Sequence, residues 1–170
     1  MNLRRLLPIL SVVLSLSPTA QVEAQLVPDS SLGAESSVVT PLDQLNERVD
    51  GGAARGANLF HSFQDFNVGE GRGVFFANPT GIENILSRVT GGNASDILGK
   101  LGVLGEANLF LVNPNGIHFG ENASLNLGGS FFASTADSLL FEGGEEFSAS
   151  NPQAAPLLEV SIPIGLNFRD

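Results

Sequence analysis

The sequence predicts an all-β protein built from short strands and tight turns, and three observations carry that prediction. Gly and Pro together supply 29 residues, and all 12 aromatic residues are Phe, a composition suited to turn-rich β structure rather than to helices. Beyond residue 51, apolar segments of strand length alternate with clusters of Gly and Asn. Some of those segments repeat. The decapeptide from Gly73 to Ile82 (GVFFANPTGI) is similar to that from Asn108 to Ile117 (NLFLVNPNGI), 35 residues on, and Ala57-Asn-Leu-Phe60 recurs as Ala107-Asn-Leu-Phe110. Units of that size point to stacked coils in which each rung covers the apolar edge of the next. The span 57–141 has room for about three or four coils of roughly 20–25 residues each. A β-sandwich of short strands fits the same pattern.

Residues 1–24 read as an export signal. Arg4 and Arg5 form a cationic start, Leu6 to Leu16 is an apolar run too short to span a bilayer, and Val22-Glu23-Ala24 precedes a cleavage point between Ala24 and Gln25. Cleavage leaves 6 basic against 17 acidic residues, a net charge of −11, with no later stretch of transmembrane length and no stable membrane insertion expected. Leu26 to about Pro41, rich in Ser, Pro and Gly, reads as an extended arm. Leu42 to Val49 is the one stretch with the composition of a short helix.

From Gly51 the expected strands are 57–60, 63–68, 73–77, 84–89, 108–112, 117–119, 124–127 and 130–135, each bounded by turn formers. Residues 124–127 alternate with period two. Residues 108–112 (NLFLV) are apolar on both faces, as in a strand covered from both sides. Asn suits stacked coils: it tolerates left-handed turns, and its amide can bond to the same position in the next rung. Asn113-Pro114-Asn115-Gly116-Ile117 is a tight-turn sequence, in which Pro fixes φ, Asn or Gly supplies positive φ, and Ile117 re-enters the core. Asn78-Pro79 opens the related turn after 73–77.

The composition excludes several chemistries. Affinity for nucleic acid comes largely from cations, and here 8 Lys and Arg stand against 18 Asp and Glu. Without Cys there is no disulfide scaffold, thiolate metal site or cysteine nucleophile. His61 and His118, the two histidines, have no carboxylate at ligand spacing and read as partly exposed strand residues, so no metal or other cofactor is expected. Gly143-Gly144-Glu145-Glu146-Phe147 spells a cyclase motif out of its context and reads as a solvated acidic turn. Adjacent Glu145 and Glu146 would point to opposite faces of a strand rather than pair as acid and base. Asn93-Ala-Ser95 and Asn122-Ala-Ser124 match glycosylation tripeptides that arise readily in a chain rich in Asn and Ser. No enzyme is expected.

The segments RGANLFHSFQDFNVGEG (55–71), VFFANPTGIENILSRVTGG (74–92), ILGKLGVLGEANLFLVNPNGIHFG (97–120) and GGSFFASTADSL (128–139) together resemble the two-partner-secretion domain of filamentous haemagglutinin-like proteins. The resemblance covers residues 25–170, with the coiled core at about 51–141. It implies a right-handed parallel β-helix with an N-terminal β cap. It also implies a role as secretion signal of a surface adhesin, recognised by the periplasmic domains of an outer-membrane β-barrel transporter. Export through the general secretion machinery and signal peptidase would carry the chain through the periplasm to the surface of a Gram-negative-type cell. The family's two Asn-Pro motifs map to Asn78-Pro79, where this chain departs from the usual sequence, and to Asn113–Ile117, a full match. Alternatives are a structural or carbohydrate-binding surface β-helix, whose mark would be an uncapped terminal coil, and a β-helix polysaccharide-active enzyme. In the family the domain heads a long passenger, whereas this sequence stops at Asp170. A truncated or split reading frame, or a short stand-alone member, is the expectation.

Overall fold

The computed structural model describes residues 26–152 and 163–168. Residues 26–55 form a cap: β1 (Leu26–Pro28), β2 (Ser37–Pro41), β3 (Asn46–Gly51) and β4 (Ala53–Arg55). The helix expected at 42–49 is absent. The Asp43 carboxylate accepts from the backbone N–H groups of Leu45 and Asn46 at 2.8 and 2.9 Å, so a local side-chain turn displaces helix formation, and the rest joins β3.

Beyond the cap the chain coils. Each turn visits three sheets in the order of β6 (Gly73–Ala77), β7 (Asn84–Val89) and β8 (Ser95–Ile97), after β5 (Asn58–Phe66) has opened the stack. The next turn is β9 (Lys100–Leu104), β10 (Asn108–Val112) and β11 (Ile117–Phe119); the last is β12 (Ser124–Asn126) and β13 (Phe131–Ser134). One sheet runs β5-β7-β10-β13, a second β3-β6-β9-β12 and a third β8-β11, all parallel. This is a right-handed parallel β-helix with about four coils. At its N-terminal end β1 and β4 pair antiparallel with β5, and β2 with β3, so the first coil presents no bare edge there.

Register corrects the reading of the repeats. Asn58 pairs with Asn84 and Asn84 with Asn108, so the coils are 26 and then 24 residues long. The repeat of 57–60 at 107–110 therefore spans two coils on one sheet. The 35-residue repeat does not follow the coil, because β6 and β10 lie in different sheets.

Stacking builds two cores. Inward-facing Leu59, Ile85, Leu109 and Phe131 form one column of the interior, joined by Val74 and Leu101 from the second sheet. On the outer face, Phe60, Leu86 and Phe110 align, covered by Leu32 of the cap and by a hairpin of β14 (Ser138–Leu140) and β15 (Glu146–Ser148). Strand β10 is thus buried on both faces, as its composition requires. A last strand, β16 (Gly165–Asn167), pairs with β14. The hairpin turn holds Gly143 and Gly144, both at φ +87°, with Glu145 and Glu146 exposed and Phe147 buried.

Candidate recognition site

The two Asn-Pro motifs occupy opposite ends of the first sheet. Asn78 and Pro79 turn the chain from β6 into β7, where the Ile82 N–H donates to the Pro79 carbonyl at 3.1 Å and Gly81 takes φ +86°. The Asn78 amide group donates to the Ile82 carbonyl at 2.9 Å, and its oxygen accepts from the Ala107 N–H of the next coil at 3.0 Å. A Cβ on Gly105 would overlap that Asn78 side chain, so the glycine is what lets it approach. Pro79 and Thr80 are exposed.

Residues 113–117 turn from β10 into β11. Gly116 N–H donates to the Asn113 carbonyl at 3.0 Å, and Gly116 alone in this turn has positive φ, at +117°. The described residues contain no non-glycine at positive φ, so the asparagines contribute side-chain hydrogen bonds rather than left-handed backbone. Asn113 is fully buried. Its amide donates to the Asn93 carbonyl and to Ser95 Oγ, both at 3.0 Å and both one coil back, while its oxygen accepts from Asn115 N–H at 3.0 Å. Asn115, exposed, donates to the Gly91 carbonyl at 2.8 Å. Pro114 is half-buried, and Ile117 packs on the interior core. The motifs do not meet in one patch; each ties its turn to a neighbouring coil. Ala24 and Gln25 lie outside the described residues.

The far end of the coil stack is different. Leu125 continues the inward column of Val74 and Leu101 yet is 47% exposed, and Phe119 continues from Ile97 at 40% exposed. On the outer face Phe132 stacks on Phe110, with ring centroids 4.7 Å apart, and is 53% exposed. These side chains stay partly open to solvent, and among the described residues β11, β12 and β13 each end their sheet. The alternation of 124–127 therefore does not bury Leu125.

Three arrangements lie outside the sequence expectations. An asparagine ladder joins the coils: Asn84 Nδ2 donates to Asn58 Oδ1 at 3.0 Å, Asn108 Nδ2 to Asn84 Oδ1 at 2.9 Å, and Asn108 Oδ1 accepts from Ser130 N–H at 2.9 Å. The general expectation of Asn amides bonding between rungs holds here, at positions not singled out. His61 is fully buried rather than partly exposed, because it points into the coil, where its Nδ1 meets Ser37 Oγ of β2 at 3.0 Å. Burial drives its pKa down to about 3, against an opposing pull from Asp50. His118 is exposed, 3.4 Å from Asp96.

Arg88 is the third. It is buried on the outer face of β7, and a charge inside the apolar run 84–89 was its only sequence signal. Its Nε donates to Ser62 Oγ at 2.9 Å and its Nη2 to Ser31 Oγ at 2.8 Å. Those hydroxyls donate onward to Asp29, Ser31 at 2.6 Å and Ser62 at 2.8 Å, so two serines carry the charge pairing. Burial works against the Asp29 carboxylate, but hydroxyls from Ser31, Thr90 and Ser62 outweigh it and hold its pKa below the ordinary value. Among the described residues no group of three His, Cys, Asp or Glu could hold a metal ion, and no helix is long and apolar enough to cross a membrane.

A family model described as the TPS secretion domain matches residues 24–170. The chain belongs to the TPS secretion domain family. A solved structure, the filamentous hemagglutinin secretion domain, superposes with a TM-score of 0.55 at 25% identity, covering 69% of this chain and 44% of that one. Two heme/hemopexin-binding proteins of Haemophilus influenzae are 40% and 37% identical over 75 residues, 44% of this chain. That stretch is 8% of either relative's length. As a TPS secretion domain the chain is a targeting module of a two-partner-secretion substrate, a class exported from Gram-negative bacteria.

Proposed function

We propose that this TPS domain directs a filamentous haemagglutinin-like surface adhesin to a cognate outer-membrane β-barrel transporter, whose periplasmic domains recognise the chain before it folds. The reading rests on one observation: the family match is continuous from residue 24 to 170, across every coil, cap and hairpin. Signal peptidase, acting after the general secretion machinery, would release the chain at Ala24-Gln25, and the product would reach the cell surface through the periplasm.

The geometry supports the timing. Strands β5 and β10 carry the repeated Asn-Leu-Phe, and each is paired along both edges in the folded coil. Only an unfolded chain has those backbone groups free to add to a sheet edge of the transporter. Asn113 is likewise buried in inter-coil hydrogen bonds once folded, so residues 113–117 offer their full sequence to a partner only beforehand. Folding outside the cell, coil upon coil, would then draw the chain outward. Co-expression with the transporter, measuring secreted protein, tests this. Deleting 113–117 or introducing Asn113→Ile is expected to abolish secretion. Unchanged secretion would remove this segment from recognition, and export without any transporter would overturn the whole reading.

A second reading has its own observation. The last coil, with Leu125, Phe119 and Phe132 partly exposed beside strand edges that no described residue pairs, suits a surface protein that acts by edge pairing.

A further inference from the structure

The Arg88 network joins three segments that are remote in sequence. Asp29 and Ser31 come from the cap, Ser62, Arg88 and Thr90 from the coil, and Phe147 and Ser148 from the hairpin. Toward the cap, Arg88 reaches Ser31 Oγ, and Thr90 Oγ1 donates to Asp29 at 2.5 Å. Toward the hairpin, Arg88 Nη1 donates to the Ser148 carbonyl at 2.8 Å, across 60 residues, and the guanidinium lies 4.3 Å over the Phe147 ring. One side chain therefore bonds to both covers of the outer face.

The apolar surroundings are shared in the same way. Leu32 and Ala53 of the cap, Phe60, Leu86 and Phe110 of the coil, and Leu139, Phe141 and Phe147 of the hairpin form one cluster. Phe60 meets Phe147 edge-on at 4.9 Å and Phe141 at 5.9 Å. A coil with only one cover docked keeps half of this cluster wet. It also leaves Arg88 without the partners that the missing cover supplies, and a guanidinium withdrawn from water needs them. Closing the hairpin alone bridges a long loop whose entropy must be recovered by contacts made at the same time.

We propose that Arg88 is a latch that makes cap and hairpin close as a single cooperative unit, so that the coil is locked only after residue 148 is in place. Resting on the reading that the transporter needs an unfolded chain, the latch delays the final docking of the cap over β5 and β7 until the hairpin, far downstream, is free to close. Its charge matters as much as its packing. The Asp29 carboxylate accepts from the two serines that Arg88 also bonds, so the cap's carboxylate and the hairpin's carbonyl meet at one charged group.

Native-state hydrogen exchange on the purified mature chain, read against urea, tests this without any transporter and so separates it from the secretion reading. In the wild type the cap amide Asp29 (bonded to Ser62) and the hairpin amides Phe141 and Ala149 should merge into one opening with a common urea dependence. In Arg88→Met, which keeps the length and apolar stem, the two sets should separate, with the hairpin opening at least about tenfold more often, equivalent to about 1.4 kcal/mol, while Leu109 and Leu111 in β10 keep their protection. Phe147→Leu should speed exchange at Asp29 in the wild-type background and leave it unchanged beside Arg88→Met. Independent opening of cap and hairpin in the wild type overturns the latch, and this measurement needs no variant to fold. Equal acceleration of Asp29 by Phe147→Leu in both backgrounds overturns it as well.

Discussion

The side-chain amide of Asn113 reaches back one coil and donates to Ser95 Oγ at 3.0 Å. Through that bond, and through those to the Asn93 carbonyl and the Asn115 N–H, a turn residue becomes a staple between coils. Ile at this position keeps the volume roughly but supplies no hydrogen bond. With Asn113 fully buried, Asn113→Ile should lower the unfolding free energy by about 2–4 kcal/mol, the cost of stranding several buried polar groups. Neighbouring Asn115 is exposed, and Asn115→Ala should cost no more than about 1 kcal/mol. Urea unfolding of the purified domain followed by circular dichroism measures both. Equal costs would show that burial of Asn113 is not what holds the turn.

The asparagine ladder makes a sharper case, because its middle member serves two neighbours. Asn84 donates to Asn58 and accepts from Asn108, and it is 2% exposed. Asn84→Leu leaves the Asn58 oxygen and the Asn108 amide group each without that partner, at a cost of about 2–3 kcal/mol. At the top of the ladder Asn108 is half-buried, so water replaces part of what Asn108→Ala removes, and the loss should be smaller. A thermal melt series across the three asparagines checks the order. The idea fails if Asn84→Leu is as stable as the parent.

Much of this architecture was legible locally. Strands 73–77 and 108–112 match the expectation to the residue, since each is largely apolar on both faces and closed by Asn-Pro, and 84–89 matches it too although Ser87 and Arg88 interrupt its apolar run. Strand β9 was missed because Gly102 interrupts it, and there a Cβ would press on the Phe75 ring at 2.8 Å. Strand β8 has three residues and carries Asp96, too short and polar to signal itself. The turn chemistry of 113–117 was readable, but not the partners of Asn113. Those depend on coils of 22–27 residues, whereas the visible repeat of 35 pairs two different sheets. Similarly, nothing near His61 announces Ser37, 24 residues earlier, which buries it.

The corner at Gly99 has no room for a side chain. A Cβ on Gly99 would overlap the carbonyl oxygens of Arg72 and Gly69 and press on Val68, where Lys100 N–H bonds to that Arg72 carbonyl at 2.8 Å. Gly99→Ala should therefore cost about 1–3 kcal/mol, the usual range for overpacking. Gly92, in the turn after β7, faces open space and has no positive φ. Gly92→Ala should be neutral or stabilising by up to about 1 kcal/mol, through the unfolded chain. Melting temperatures of the two variants decide it, and a Gly99→Ala melt matching Gly92→Ala would count against close packing at the corner.

Acid should weaken the domain through His61. The ring sits inside the first coil against Phe76, at 5.2 Å between centroids, and burial depresses its pKa to about 3 although Asp50 favours the charged form. In the unfolded chain the same group titrates near 6.5. Below pH 6.5 the unfolded state takes up a proton that the folded state refuses, so stability falls with decreasing pH, by about 1.4 kcal/mol per unit once well below 6.5. That loss continues until the pH nears 3, where the folded ring also protonates. Asp29, held below its ordinary value, also loses its contribution as pH falls, but only within the carboxylate range. The window from pH 6.5 to 5 therefore belongs to His61. Urea midpoints at pH 7.5, 6.5, 5.5 and 4.5 should fall steadily in the wild type and in His118→Gln. In His61→Leu, whatever its absolute stability, the decline between pH 6.5 and 5 should flatten. A His61→Leu profile as steep as the parent's would place the acid sensitivity elsewhere.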